Sequence, residues 1–300
     1  MPRRLLAVPL GFRQAAAMPV SRLSPADQAA VIAITGPWDE LRANTDGTAA
    51  DVLHINGTWV LRQARQDAAA FDRETALLTR LAARLPPALA ALLPVPKVSG
   101  PGWHLCRHLP GVPSSRQSLA ALSPQARGRF FNGFSTLLAG VHTSPEGDYA
   151  AATPHSPDQW AAVRAEAEAR LFPLLSPALA ADLRAALAEI GASPLAMNGP
   201  ALIHDDLHPA HILHDPATGA LTGLLDFGRS GRGDAAVDLA GLLYNWGQAT
   251  LRALDYPGLA DLLPRARRLA RTYELQWALE GLRHNDPRWF LYALGAAKDF

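Results

Sequence analysis

The residues best suited to chemistry lie between His204 and Gly228. His204-Asp205-Asp206-Leu207-His208-Pro209-Ala210-His211 is followed by Asp226-Phe227-Gly228. Asp206 and His211 stand at the H-x-D-x-x-x-x-N spacing of a phosphoryl-transfer catalytic loop, with histidine in place of asparagine. Asp226-Phe227-Gly228 reads as the metal-binding acid that follows such a loop. Phosphoryl transfer asks for few protein groups: one orients the attacking hydroxyl and others hold Mg²⁺ on the phosphates. In this pattern Asp206 orients the hydroxyl and accepts its proton. Asp226 offers hard carboxylate oxygen to Mg²⁺. His211 is the second ligand candidate. Imidazole is softer than an amide oxygen, so Mn²⁺ should be tolerated well. It must also be neutral to ligate, which predicts activity falling on acidification. Each residue has a plainer reading when taken alone: a turn or N-cap aspartate for Asp206, a hairpin-closing aspartate for Asp226, a hydrogen-bonded structural histidine for His211. The three together favour the chemical reading.

The neighbours are expected to support the loop. His204 braces it through backbone hydrogen bonds, and His208 and His214 lie at the surface or behind the reacting groups. Asp238 precedes an apolar run and is expected to cap a helix and hold the loop after Gly228. A rival arrangement gathers His204, Asp206, His208 and His211 around Zn²⁺ as a metallohydrolase. It leaves Asp226-Phe227-Gly228 unexplained.

These residues need a scaffold, and the sequence outlines one. Ser24-Pro25-Ala26-Asp27 predicts a helix start, with a stop near Gly36-Pro37. Residues 50–55 and 58–63 read as strands joined by an Asn56-Gly57 turn. Residues 67–85 read as a helix whose apolar face carries Phe71, Leu78, Leu81 and Leu85, with Glu74 on the same stripe. A carboxylate there either meets water at the stripe's edge or pairs with a cation, for which Arg62 is the natural partner. Asp46-Gly47-Thr48 could let the backbone at Gly47 and Thr48 approach phosphates. Residues 86–101 should hold one short helix, and 103–108 a strand. A connector at 109–113 marks the domain boundary.

Beyond it, helices are expected over 123–142, 157–169 and 177–190. A short strand at 201–203 enters the motif, and a hairpin joins 212–214 to 220–226. Further helices start near Val237 and Leu262, the last carrying Leu269, Tyr273, Trp277 and Glu280 on one face. The fold class is α+β: a small sheet-containing N-lobe at 21–108, a hinge, and a mostly helical C-lobe at 109–300 with the hairpin at the cleft. Residues 1–20 read as a disordered leader, or as sequence ahead of a true start at Met18.

Composition narrows the partners. The chain has 300 residues, 49% of them hydrophobic, and a net charge of +1. That charge gives no argument for a nucleic-acid or membrane partner. The single cysteine, Cys106, forms no internal disulfide, and no apolar run is long enough to span a bilayer, so the cytoplasm is expected. A monomer or dimer is expected. Lys97 and Lys298 are the only lysines, so any phosphate-holding cation ahead of residue 97 is an arginine.

The pattern resembles the aminoglycoside phosphotransferase family, relatives of the choline kinases with a protein-kinase-like fold. The resemblance covers most of residues 46–286. It is sharpest at Leu202 to Leu213, at Gly223-Leu224-Leu225-Asp226-Phe227-Gly228 and at Gly233 to Ala240. Weaker matches are Trp59-Val60-Leu61-Arg62, Glu74 and Leu137 to His142. The resemblance implies that Asp206 is the catalytic aspartate and that His211 and Asp226 are the metal ligands. It also implies that Glu74 pairs with the phosphate-binding basic residue, here Arg62 in place of lysine. The histidine at 211 is similar to that of 2″-aminoglycoside and macrolide phosphotransferases. ATP or GTP would be the donor with Mg²⁺, and the acceptor a hydroxyl of an antibiotic or of a metabolite such as choline or homoserine. Arg62 and the sparse phosphate loop leave a non-catalytic nucleotide-binding relative as the alternative. Residues 231–300 carry eight acids and nine bases, which lowers the odds of a polycationic acceptor. Tyr273, Trp277 and Glu280 either wall an acceptor pocket or, for the two aromatics, pack in the core.

Overall fold

A computed structural model describes residues 23–44, 50–144, 156–192 and 201–289. The leader at 1–20, Gly47 and Thr48 lie outside the described residues. The fold is α+β and divides into two compact units, one of Met1–Thr75 with Val95–His108 and one of Ala76–Pro94 with Leu109–Phe300.

The smaller unit is built on a five-stranded antiparallel sheet of order β1-β2-β3-β5-β4. Its strands are β1 (Leu41–Asn44), β2 (Ala50–Ile55), β3 (Trp59–Ala64), β4 (Pro96–Gly100) and β5 (Trp103–Arg107). Helix α1 (Pro25–Thr35) opens on Ser24, whose hydroxyl accepts from the Asp27 N–H at 3.1 Å, with Pro25 in the first turn. The β2–β3 turn needs two left-handed residues, and Asn56 (φ 51°) and Gly57 (φ 64°) supply them. The Asn56 side chain also accepts from the Asp39 and Glu40 N–H groups, tying the α1–β1 link to this turn. Strand alternation sends Ile55, Leu61 and Leu105 to one face, where they pack with Trp103, Leu23 and Val31.

Arg62 and its cross-strand neighbour His104 lie on the opposite face. There they meet α2 (Ala68–Arg84), which Asp67 caps through the Ala70 N–H at 2.8 Å. His104 is fully buried. The Thr75 hydroxyl donates to the Phe71 carbonyl, so His104 Nδ1–H donates to Thr75 Oγ1 at 2.9 Å. His104 Nε2 then carries a bare lone pair with no partner among the described residues.

The larger unit is mostly helical. Its helices are α3 (Pro87–Ala90), α4 (Arg116–Ala120), α5 (Pro124–His142), α6 (Pro157–Glu166), α7 (Pro177–Ala192), α8 (Ala236–Trp246), α9 (Gln248–Leu251), α10 (Leu259–Ala270) and α11 (Tyr273–His284). Phe130 and Phe134 of α5 pack their rings against Trp246 at the end of α8, with centroids 5.8 and 5.5 Å away. Two small antiparallel sheets interrupt the helices. Strands β6 (Val112–Pro113), β8 (Ile212–His214) and β9 (Leu221–Leu224) form one, and β7 (Ala201–Ile203) with β10 (Gly231–Gly233) forms the other. The β8–β9 loop closes on Gly219 (φ 69°), where a Cβ would lie 2.0 Å from the Ala126 carbonyl oxygen of α5.

Several boundaries differ from expectation for local reasons. The last long helix is two: both the N–H and the hydroxyl of Thr272 donate to the Leu269 carbonyl and end α10. The hairpin's second strand ends at Leu224, because Asp226 turns left-handed (φ 63°). α6 stops at Glu166 and continues as a π-turn over Ala167–Leu171. Part of the connector at 109–113 pairs as β6.

His104 gives the smaller unit an acid limit. Burial, helped by the Arg62 charge, holds its pKa down to about 3. An unfolded chain binds that proton near the ordinary histidine value of ~6.5. The contribution is therefore complete above ~6.5 and declines as pH falls towards about 3, by up to ~1.4 kcal/mol per pH unit. Urea unfolding at pH 7 and pH 5 should show this slope, and His104→Gln should remove about one proton's worth of it. An unchanged slope in the variant would count against the assignment.

Candidate active site

Strand β7 leads into the motif loop, a 3₁₀ turn over Pro209–His211 returns it to β8, and β9 delivers Asp226. Asp206, His211 and Asp226 converge: one ligand atom from each lies within 4.8 Å of the others. His211 Nδ1 stands 3.8 Å from Asp206 Oδ2, and His211 Nε2 stands 3.7 Å from Asp226 Oδ2. The histidine's tautomer follows from its backbone partner. Nδ1–H donates to the Asp206 carbonyl at 2.9 Å, leaving the Nε2 lone pair on the side of Asp226. The Asp226 and His211 side chains are 43% and 22% accessible, enough to admit a ligand. One hard carboxylate and one oriented imidazole nitrogen suit a divalent cation such as Mg²⁺ or Mn²⁺. Burial raises the Asp206 carboxyl above its ordinary range, opposed by His211, His204 and Arg229 and reinforced by Asp226.

The loop carrying Asp206 is held at every backbone polar group from 204 to 206. The His204 and Asp205 N–H groups donate to the two oxygens of the Asp238 carboxylate, each at 2.8 Å. The Asp206 N–H donates to His204 Nδ1 at 3.2 Å. The His204 carbonyl accepts from Ser230 Oγ, the Asp205 carbonyl from Arg229 Nε, and the Asp206 carbonyl from His211 Nδ1 and the His208 N–H. This matters because Asp205 sits at φ 62°, where a non-glycine residue is strained unless its surroundings hold it. Arg229 secures it twice, its second bond going to Asp205 Oδ2 at 3.0 Å. His204 Nε2–H donates to the Leu225 carbonyl at 2.8 Å.

Asp238 differs from expectation. It lies inside the first turn of α8 and does not cap it; Asp234, ahead of the N-cap position Ala235, accepts from the Ala236 N–H at 2.9 Å. Arg265 in turn grips Asp234 at 2.6 and 3.1 Å. Asp238 reaches residues 204–205, not the loop after Gly228. Its third donor is His142 Nε2 at 2.8 Å. Burial opposes charge on this carboxyl, yet the His142 bond and the His204 N–H hold its pKa below the ordinary range.

The zinc arrangement does not form. Both ring nitrogens of His204 are engaged inside the loop, and the metal-capable cluster among the described residues is Asp206, His211 and Asp226. His208 accepts from the Ala210 N–H, and burial with the nearby His211 lowers its pKa to about 4. His214 is buried, not superficial, and meets Ser114 Oγ at 3.1 Å.

In the smaller unit the Glu74 question is answered by an ion pair. Arg62 Nη1 donates to Glu74 Oε1 at 2.6 Å, with both side chains largely buried and the guanidinium 5.4 Å from the centre of the Phe71 ring. Tyr273, Trp277 and Glu280 all lie on α11 and are all partly buried. Tyr273 is packed edge-on against Tyr244 and donates to the Val237 carbonyl at 3.4 Å. Trp277 stacks on Trp289, and Glu280 pairs with Arg283 and His284. The break at Thr272 puts Leu269 on the preceding helix. Sequence reasoning assigned no task to Arg229, Ser230 or Tyr256, which belong to no local pattern. His142 carried a signal only as the end of a weak family match.

A family model described as phosphotransferase enzyme family matches residues 40–287. The chain belongs to the phosphotransferase enzyme family. Among named phosphotransferases, viomycin phosphotransferase of Streptomyces vinaceus is 29% identical over 193 residues, 62% of this chain and 66% of that enzyme. The solved GDP complex of an aminoglycoside 2′-phosphotransferase-IIIa mutant superposes with a TM-score of 0.74 at 21% identity, covering 90% of this chain and 95% of that one. Macrolide 2′-phosphotransferase type I superposes with a TM-score of 0.62 at 20% identity, covering 92% and 99%. At these identities the structural likeness shows the fold.

Asp238→Asn puts an amide NH₂ where a carboxylate oxygen accepts an N–H, so two donors face each other. It is expected to destabilise the fold by about 3 kcal/mol, as breaking a buried charged network does. Thermal or urea unfolding measures this, and parental stability in the variant would refute the bonding scheme.

Proposed function

We propose that this protein transfers the γ-phosphoryl group of ATP or GTP to a hydroxyl of a small molecule. The observation that carries this reading is the convergence of Asp206, His211 and Asp226, with the backbone of residues 204–206 bonded at every polar group. The acceptor oxygen attacks the γ-phosphorus, the bond to the β,γ-bridging oxygen breaks, and the nucleoside diphosphate leaves. Asp206 aligns the hydroxyl and takes its proton. His211 and Asp226 are the residues that would hold a divalent cation, which when bound neutralises phosphate charge. Arg62, steadied by Glu74, is the cation in the smaller unit suited to phosphate, although its fork differs in geometry from a lysine ammonium.

The acceptor class is drawn from the relatives: viomycin, aminoglycosides and macrolides appear in their names. An antibiotic hydroxyl is therefore the first candidate, and resistance the expected consequence, with metabolite alcohols next. The three converging side chains come from one chain, so a monomer suffices and a dimer is compatible. A nucleotide donor suits the cytoplasm, as do the unpaired Cys106 and the lack, among the described residues, of a helix long and apolar enough to cross a membrane.

The test is a screen for ADP or GDP release over antibiotics, amino alcohols and sugars, with Mg²⁺ and Mn²⁺. Release with at least one acceptor is expected; nucleotide binding without release across the panel would favour a non-catalytic protein. Asp206→Ala should lower turnover by on the order of 10²-fold or more while nucleotide still binds. Parental turnover in that variant would remove Asp206 from the mechanism. His211→Asn should keep measurable activity and shift preference towards Mg²⁺. Complete loss of nucleotide binding would show that His211 has another task.

A further inference from the structure

Tyr256 lies between α9 and α10, 50 residues beyond Asp206 and outside every motif. Its hydroxyl stands 2.5 Å from Nδ1 of His142, the last residue of α5, and the two rings meet edge-on at 5.5 Å. His142 is buried and its other nitrogen, Nε2, is 2.8 Å from Asp238 Oδ2.

Hydrogen-bond accounting orders this chain. The Asp238 carboxylate can only accept, so His142 Nε2 carries the proton between them. A neutral imidazole then presents a lone pair at Nδ1, and a buried lone pair wants a donor. The Tyr256 hydroxyl is that donor. Burial, with the charges of Asp238 and Asp234, pushes its pKa up to about 12, so it keeps its proton. The same Asp238 carboxylate takes the N–H groups of His204 and Asp205. A carboxylate free to rotate would move both bonds, and Asp205 is already strained at φ 62°.

We propose that Tyr256 is a positioning residue for phosphoryl transfer: its hydroxyl orients His142, which locks the Asp238 carboxylate and so sets the backbone that presents Asp206 and His211. The inference rests on the phosphotransfer reading and adds a residue that neither the motifs nor the converging acids reveal. The connection to the metal-capable side is short, because His211 Nδ1 is bonded to the Asp206 carbonyl.

The experiment compares the parent with Tyr256→Phe, His142→Gln and the double variant. Hydrogen exchange at the His204 and Asp205 amides is read by NMR, and Mn²⁺ affinity, with the metal alone, by electron paramagnetic resonance. Tyr256→Phe should speed exchange at both amides at least about 10-fold and weaken Mn²⁺ binding about 3- to 10-fold, at near-parental melting temperature. In the His142→Gln background the same change should add nothing, since the route is already cut. Unchanged exchange and Mn²⁺ affinity in Tyr256→Phe, or equal losses in both backgrounds, would overturn the inference. Should Tyr256→Phe fold poorly, ¹⁵N-histidine NMR of the parent decides: His142 protonated at Nε2 alone supports the scheme, and a proton on Nδ1 overturns it. Either failure leaves the phosphotransfer reading standing, whereas nucleotide binding without ADP or GDP release across the acceptor panel sinks that reading without altering the amide coupling.

Discussion

One buried carboxylate organises the larger unit's chemistry. Asp238 has no exposed surface, and a lone ionised acid in such a place is prohibitively costly. Three donors offset that: the His204 and Asp205 N–H groups and His142 Nε2. The arrangement works in both directions. The donors keep the acid charged, and the charge pins two successive peptides of the loop that ends in Asp206. Hydrogen bonds to a charged group are stronger than neutral ones. That is how a short loop, without helix or strand hydrogen bonding of its own, becomes a rigid mount.

Rigidity is needed because the site stores strain. Asp205 and Asp226, one beside and one within the converging trio, both adopt left-handed backbone angles that non-glycine residues avoid. The turn at Asp226 ends the β9 direction and brings its carboxylate near His211. The turn at Asp205 brings its side chain to Arg229 while Asp206 follows towards His211. The Asp205 distortion is held by the Asp238 and Arg229 bonds, and each turn places one acid of the trio. Chemistry that depends chiefly on positioning is served by such a loop more than by a strong base.

What the sequence revealed followed from locality. Ser24-Pro25 and Asn56-Gly57 act within a few residues, so their cap and turn are visible without the fold. The spacing of Asp206, His211 and Asp226 is likewise confined to one loop and one hairpin, and Glu74 betrayed its pairing by sitting on an apolar stripe. The misreadings share a different origin. Asp238 looked like a cap because its true partners lie 34 and 96 residues away, at His204 and His142. Side chains that bond to distant backbone leave no periodicity to detect. Thr272 broke an otherwise continuous helical pattern by donating its N–H and its hydroxyl to the Leu269 carbonyl, which parted Leu269 from Tyr273, Trp277 and Glu280 on the next helix. Strands of two or three residues such as β6 and β10 are too short to carry a period.

The central claim is that His211 Nε2 and Asp226 face one divalent cation beside the Asp206 carboxylate. A crystal structure of the protein grown with Mn²⁺ and a non-hydrolysable nucleotide, with anomalous scattering to mark the metal, measures this directly. The account predicts manganese within coordination distance of His211 Nε2 and an Asp226 oxygen, with His211 Nδ1 still on the Asp206 carbonyl. Manganese bound elsewhere, or His211 turned so that Nδ1 faces Asp226, would contradict it.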